Sequence, residues 1–180
     1  MMSGEWVIAP ATVESLPDIL EIEEACFPSP WTRKMLEAEL SGNRFAHFLL
    51  AKRTTSGNDG FPSIIGYLCF WIVFEEVRLM NLAVIESMRH KGIAKALVSQ
   101  ALDAGASQGG MRALLEVRAS NHAAQALYRS LGFRAVTTRP AYYTNPLEDA
   151  VLMELDPIVS EAAQVAEACN RDGGRITPLQ

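Results

Sequence analysis

Cysteine is scarce in this chain. The three present, Cys26, Cys69 and Cys169, are odd in number, far apart and without partners at zinc-ligand spacing. Neither a disulfide framework nor a metal cluster is expected, and buried free thiols are the simpler reading. No run of eighteen apolar residues occurs, so no membrane span is expected. Met1-Met2-Ser3-Gly4-Glu5-Trp6 lacks the basic start and apolar run of a secretory signal, which leaves the cytoplasm as the expected compartment. Positive charge is also short: 16 Lys and Arg face 21 Asp and Glu, a formal net charge of -5. That balance argues against non-specific nucleic-acid binding, which needs a basic face to neutralise phosphates, and suits a basic partner. Fixed-period repeats and low-complexity tracts are missing too, and no feature sets the oligomeric state.

What is present is enough apolar content, 49% of 180 residues, for one substantial core. The expectation is one domain over residues 1–157, followed by a tail over 158–180 that is helix-prone from Ser160 to Cys169 and polar beyond it. Ser15 with Asp18 resembles a shortened capping box, and Leu16, Ile19, Leu20 and Cys26 at helical spacing predict a helix from Ser15 to Cys26. Thr32 caps a second helix that stops at Ser41-Gly42-Asn43. Strand signals follow at 46–51, 64–74 and 76–84, with a loop at 54–60. A helix from Gly92 to Gly109, a strand at 113–118, a helix at 122–131 ending on Gly132, and strands at 133–138 and 150–155 complete the order ααβββαβαββ. The strand, helix, strand unit forces at least one parallel pairing, so an α+β fold with a mixed sheet is expected.

Chemistry concentrates where the strand ending at Val84 turns into the helix that begins near Gly92. Unpaired N–H groups from His90 to Lys95 converge there on one concavity, an anion site. Gly92 permits unusual torsions, Ala94 is small, and Arg89, Lys91 and Lys95 add positive charge. A helix start favours an anion by about 0.3 to 1 kcal/mol per interaction. By itself the segment also fits a plain surface turn. It matches neither G-x-G-x-x-G nor G-x-x-x-x-G-K-[ST].

Arg89-x-x-Gly92-x-Ala94 resembles the R/Q-x-x-G-x-G/A signature of the GNAT superfamily of N-acetyltransferases. Leu115-Glu116-Val117-Arg118-Ala119-Ser120-Asn121 and Ala126-Leu127-Tyr128-Arg129-Ser130-Leu131-Gly132-Phe133 are similar to its RimI-type branch, the ribosomal-protein alanine N-acetyltransferases. Cys26-Phe27-Pro28-Ser29-Pro30-Trp31, Asn81-Leu82-Ala83-Val84 and Tyr142-Tyr143 fit the same pattern in the same order, so the resemblance spans roughly residues 7–156. It implies a mostly antiparallel sheet splayed at its centre and flanked by helices, with acetyl-CoA as co-substrate. Leu82, Ala83 and Val84 would meet the acetyl group and pantetheine through their backbone. Arg89, His90, Lys91, Gly92, Ile93, Ala94 and Lys95 would hold the pyrophosphate, and Asn121 the pantetheine region. Ala94 stands where glycine is commoner in the family, a tolerated variant.

Glu116 also stands out without the family, because alternation puts Leu114, Glu116 and Arg118 on one face of their strand and a mid-strand carboxylate needs a reason. One reason is an ion pair with Arg118 or another basic neighbour. The other is a general base: an α-amine, with a reference pKa of about 7.7 to 8.0, must lose a proton before it attacks a thioester. The family pattern places the base at Glu116. Tyr128 reads either as a core aromatic or, by the same resemblance, as the general acid that protonates the departing thiolate. A backbone N–H near Val84 is the expected oxyanion donor. Trp31, Tyr142 and Tyr143 are expected on the acceptor side. The resemblance implies the N-terminal alanine of a small-subunit ribosomal protein as acceptor. A small-molecule amine is the alternative, and a non-catalytic coenzyme A-binding module is a second, although such a module should have lost Glu116 or Tyr128.

Overall fold

A computed structural model describes residues 5–54 and 62–159. Most of the loop expected at 54–60, the helix expected at 160–169 and Cys169 lie outside them. Among the described residues seven strands and four α-helices run in the order β1 (Trp6–Pro10), α1 (Leu16–Cys26), α2 (Arg33–Glu37), β2 (Ala46–Arg53), β3 (Ile64–Val73), β4 (Glu76–Val84), α3 (Ile93–Ser107), β5 (Arg112–Arg118), α4 (His122–Ser130), β6 (Arg134–Thr144) and β7 (Leu147–Leu155). The sheet order is β1-β2-β3-β4-β5-β7-β6, antiparallel except for β4 with β5. The expected mixed, mostly antiparallel sheet is therefore observed, and the parallel pair is the one the β4-α3-β5 crossover requires.

Four details differ from expectation. Trp6–Pro10 forms an edge strand on β2 that five residues ending in proline do not announce; proline is tolerated there because an edge strand needs fewer ladder donors. Helical structure begins at Val13, in a short 3-10 turn where Thr12 N–H donates to Ser15 Oγ (3.3 Å), so the box pairs Thr12 with Ser15 rather than Ser15 with Asp18. The second helix, capped as expected by Thr32 Oγ1 accepting from Met35 N–H (3.3 Å), loosens into a π turn over Ala38–Gly42. Finally, β6 continues to Thr144 because the irregularity at Arg139-Pro140-Ala141 is a bulge in an edge strand: Ala141, at φ 51°, donates to Asp149 Oδ1 (2.8 Å).

Apolar residues fill both faces of the sheet. On one, Leu16, Ile19, Ile22 and Leu36 of α1 and α2 pack on Phe48, Leu50, Tyr67, Cys69 and Ala83. On the other, α3 and α4 bury Ile93, Leu97, Val98, Ala101 and Tyr128 against Leu68, Leu79, Val84, Leu115 and Val117. The described chain stays attached past the expected boundary at 157, since Ile158 N–H donates to Met111 O (2.7 Å).

Gly105 sets how closely α3 approaches β4. A Cβ there would sit 2.2 Å from Cγ2 of Val77, a stiff side chain with no exposure. Gly105→Ala is expected to lower stability by about 1 to 3 kcal/mol in chemical denaturation, despite alanine's better helix propensity. An unchanged or raised midpoint would contradict this packing.

The sheet opens at its centre. β4 and β5 pair only from Glu76↔Arg112 to Leu79↔Leu115, yet β4 runs on to Val84 and β5 to Arg118. The cause is local: Phe70 pairs with Leu79 and Cys69 with Asn81, leaving Met80 as an extra residue. Such a bulge bends and twists its strand, and here it comes where pairing with β5 stops.

Candidate active site

Strand geometry decides which backbone groups face this cleft. Ile85 N–H donates to Ile65 O (3.0 Å), so in the antiparallel β3-β4 ladder residue 83 also points toward β3 while 82 and 84 point away. Leu82 and Val84 thus turn their backbone groups away from β3, toward the open side. Ala83, expected beside them, instead turns its amide and carbonyl to the β3 ladder. Val84 O is already taken, accepting from Arg89 Nε (3.1 Å) and from the Cys26 thiol (3.7 Å), so its N–H is the group left for a ligand. Ala119 N–H donates to Asp149 O on β7, and the same alternation turns the backbone of Glu116 and Arg118 toward the cleft.

At the mouth of the cleft, His90 and Gly92 adopt left-handed torsions, φ 62° and 80°, before α3 begins. Gly92 O accepts from Ala96 N–H (3.0 Å), which leaves the first-turn amides of Ile93, Ala94 and Lys95 without helical partners. This is a nest of backbone donors with a positive helix end behind it. A Cβ at Gly92 would meet nothing within 4 Å, so glycine is needed for its torsion rather than for space. The side chains divide differently from expectation. Ile93 is buried and contributes only its amide. Arg89 folds back onto Val84, and Lys91 pairs with Glu5 (3.7 Å). Lys95 and Gly92 line a groove of about 560 Å³ along α3. Asn121 caps α4, its Oδ1 accepting from Ala124 N–H (3.0 Å), and its side-chain NH₂ makes no bond to a described residue.

Glu116 has a basic neighbour, but not Arg118. Its Oε1 lies 3.1 Å from Nη1 of Arg139 on β6, the two side chains being 27% and 51% exposed. Arg118 instead pairs with Glu148 (3.1 Å), donates to the carbonyls of Asn145 (3.0 Å) and Pro146 (3.3 Å), and stacks on Tyr143 at 4.1 Å. Tyr143 hydroxyl reaches Glu116 O (3.4 Å), and burial pushes its pKa up to about 12. Tyr142 packs edge-on against Tyr143 and is half exposed. Ser29 Oγ, from the α1-α2 loop, donates to Asn145 O (3.2 Å) and joins that loop to the β6-β7 turn.

Tyr128 lies on the other face, 7% exposed and tilted against Phe133 with ring centroids 5.7 Å apart. Burial, and secondarily the nearby Tyr143, raise its pKa well above the ordinary phenol, so it stays protonated through the neutral range. Alternation places Ala113, Leu115 and Val117 on the α3-α4 face and Glu116 on the α1-α2 face. A carboxylate and a phenol thus lie on opposite faces of the sheet.

Two buried groups had no assigned role. Glu23 has no exposure, and Gln125 fastens α4 to the end of β5 by donating to Arg118 O (3.2 Å) and Ala119 O (3.0 Å). Glu23 was detectable, because it stands four residues after Ile19 and seven after Leu16 on the apolar stripe of α1. Among the described residues no group of three or more His, Cys, Asp or Glu could hold a metal, and no helix is long and apolar enough to cross a membrane.

A split sheet with a nest of amides at its mouth is the architecture of a protein that takes an extended, phosphate-bearing thioester between two strands. Comparison with known proteins agrees. Residues 16–133 match the Acetyltransferase (GNAT) family, and the chain belongs to that family. It is 36% identical over 142 residues to the [Ribosomal protein bS18]-alanine N-acetyltransferase of Escherichia coli (strain K12), covering 78% of this chain and 90% of that protein. Identity to the enzyme of the same name from Haemophilus ducreyi is 35% over 140 residues, 76% of this chain and 90% of that one. The crystal structure of the ribosomal-protein-S18-alanine N-acetyltransferase from Escherichia coli superposes with a TM-score of 0.74 at 30% identity, covering 86% of this chain and 96% of that one. The chain is an acetyl-CoA-dependent N-acetyltransferase.

Proposed function

We propose that this enzyme acetylates the α-amine of a protein N terminus, the N-terminal alanine of a small-subunit ribosomal protein, by direct attack of the amine on acetyl-CoA. The observation that supports the reading is the open seam between β4 and β5, with Glu116 on one face of the sheet and Tyr128 packed on the other. Acetyl-CoA supplies a thioester carbonyl and a thiolate leaving group. Leu82 and Val84 orient it through backbone groups, the Val84 N–H stands as oxyanion donor, and the amides of Ile93, Ala94 and Lys95 hold the pyrophosphate. Glu116 takes the proton from the amine, directly or through water, and Tyr128 returns one to the thiolate. Acceptor contacts fall to Trp31, Tyr142 and Tyr143 on the α1-α2 face. Arg139 blocks none of this: a half-exposed ion pair is worth about 0 to 1 kcal/mol and opens readily. The cytoplasm, where ribosomal proteins are made, is the matching compartment.

The acceptor assignment is tested with peptides. The purified protein and acetyl-CoA should add one acetyl group to a peptide beginning Ala-Arg and spare an N-terminally blocked peptide whose only amine is a lysine side chain. Modification of the second peptide alone would overturn the assignment.

A further inference from the structure

We propose that Glu23 is a positioning residue for the acceptor: its buried carboxylate fixes the α1-α2 loop at Trp31 against the open end of β4 and so sets the width of the acceptor entrance. The inference rests on the acceptor reading above, because it concerns the wall where Trp31 stands.

The carboxylate accepts three hydrogen bonds from three segments of chain. Tyr67 hydroxyl on β3 and Asn81 Nδ2 on β4 (2.5 Å) both donate to Oε1, and Trp31 N–H donates to Oε2 (2.6 Å). Asn81 Nδ2 also donates to Tyr67 hydroxyl (2.9 Å), closing the cluster. Asn81 lies between the Met80 bulge and Leu82, the first residue whose backbone faces the cleft. Trp31 closes the loop that also carries Ser29, bonded across to the β6-β7 turn. One side chain thus ties the cofactor strand to one acceptor wall, and that wall is tied to the other.

Packing alone does not account for a glutamate here. Leu16, Ile19 and Ile22 share its stripe, and an aliphatic residue would fill the position without the desolvation a carboxylate suffers. Burial pushes the Glu23 carboxyl up from its usual range, while the bonds from Tyr67 and Trp31 work against that rise. What the carboxylate provides and an aliphatic residue does not is acceptance of directed bonds from both sides at once.

Substitution separates this role from core maintenance. Glu23→Gln keeps the shape, but when its oxygen serves Tyr67 and Asn81 its NH₂ confronts Trp31 N–H. The swap Glu23→Gln with Asn81→Asp gives each group a partner again: the Gln oxygen accepts from Trp31, its NH₂ donates to the aspartate, and Tyr67 donates to the same aspartate. In E23Q the KM for an Ala-Arg peptide should rise about 10-fold or more, the acetyl-CoA KM should stay within about twofold, and amide exchange over residues 27–31 should quicken. The swap should return both peptide KM and exchange toward wild type. An unchanged peptide KM in E23Q, a parallel rise in acetyl-CoA KM, or no recovery in the swap would overturn the proposal. If E23Q does not fold, the swap decides alone: a wild-type peptide KM supports the role and a raised one refutes it. If the wild-type protein leaves the peptide unmodified, the acceptor reading fails, and exchange at the loop still decides whether Glu23 holds it.

Discussion

Replacing Glu116 with glutamine should lower turnover on an N-terminal peptide by about 100- to 10,000-fold, the range of a lost general base, while the dissociation constant for acetyl-CoA stays near wild type. The acceptor amine, with a reference pKa of about 7.7 to 8.0, arrives mostly protonated at neutral pH, and glutamine cannot accept its proton. The fold should tolerate the change. The side chain is isosteric, projects from the α1-α2 face rather than into the buried α3-α4 core, and gives up only a half-exposed pair with Arg139. In the proposed mechanism cofactor binding is spared, because there it depends on backbone groups of Leu82, Val84 and residues 93–95. Equal losses of acetyl-CoA affinity and of turnover would move Glu116 to a structural role.

Tyr128→Phe should lower turnover by about 100-fold, the lower bound for a general acid, because a thiolate with a conjugate acid near the cysteine reference of about 8.5 leaves without full assistance. Burial keeps this phenol protonated, and its hydroxyl makes no hydrogen bond to a described residue, so the proton is available to a ligand. Phenylalanine preserves the ring contact with Phe133 and therefore the core. Acetyl-CoA affinity and denaturation midpoint should change little. Turnover close to wild type would return Tyr128 to the plain aromatic reading that its position on an apolar stripe also permits.

Much of this arrangement was legible in the residues. Gly92 after a strand and before a helical repeat forecast the turn and the nest, and alternation along Ala113 to Arg118 isolated Glu116. The splay was not legible from periodicity, because Leu79-Met80-Asn81-Leu82 shows no break where Met80 bulges. It entered through family resemblance. Partners across the site were beyond sequence reading for a general reason: Glu116 meets Arg139 and Arg118 meets Glu148 through the β6-β7 hairpin, whose bulge at Arg139 shifts the register. Asn121 shows the opposite limit, where a position read through family resemblance is seen to cap α4. Glu23 was visible as a carboxylate on an apolar stripe, but its function depended on where Trp31 and Asn81 meet in space.

The most direct test is one peptide carrying both an N-terminal Ala-Arg and an internal lysine, incubated with acetyl-CoA and either wild-type or Glu116→Gln protein, with the acetyl group located by fragmentation mass spectrometry. A single acetyl on the alanine nitrogen, formed by wild type and nearly lost in the variant, is the predicted result. Acetylation of the lysine instead, or equal alanine acetylation by both proteins, would contradict it.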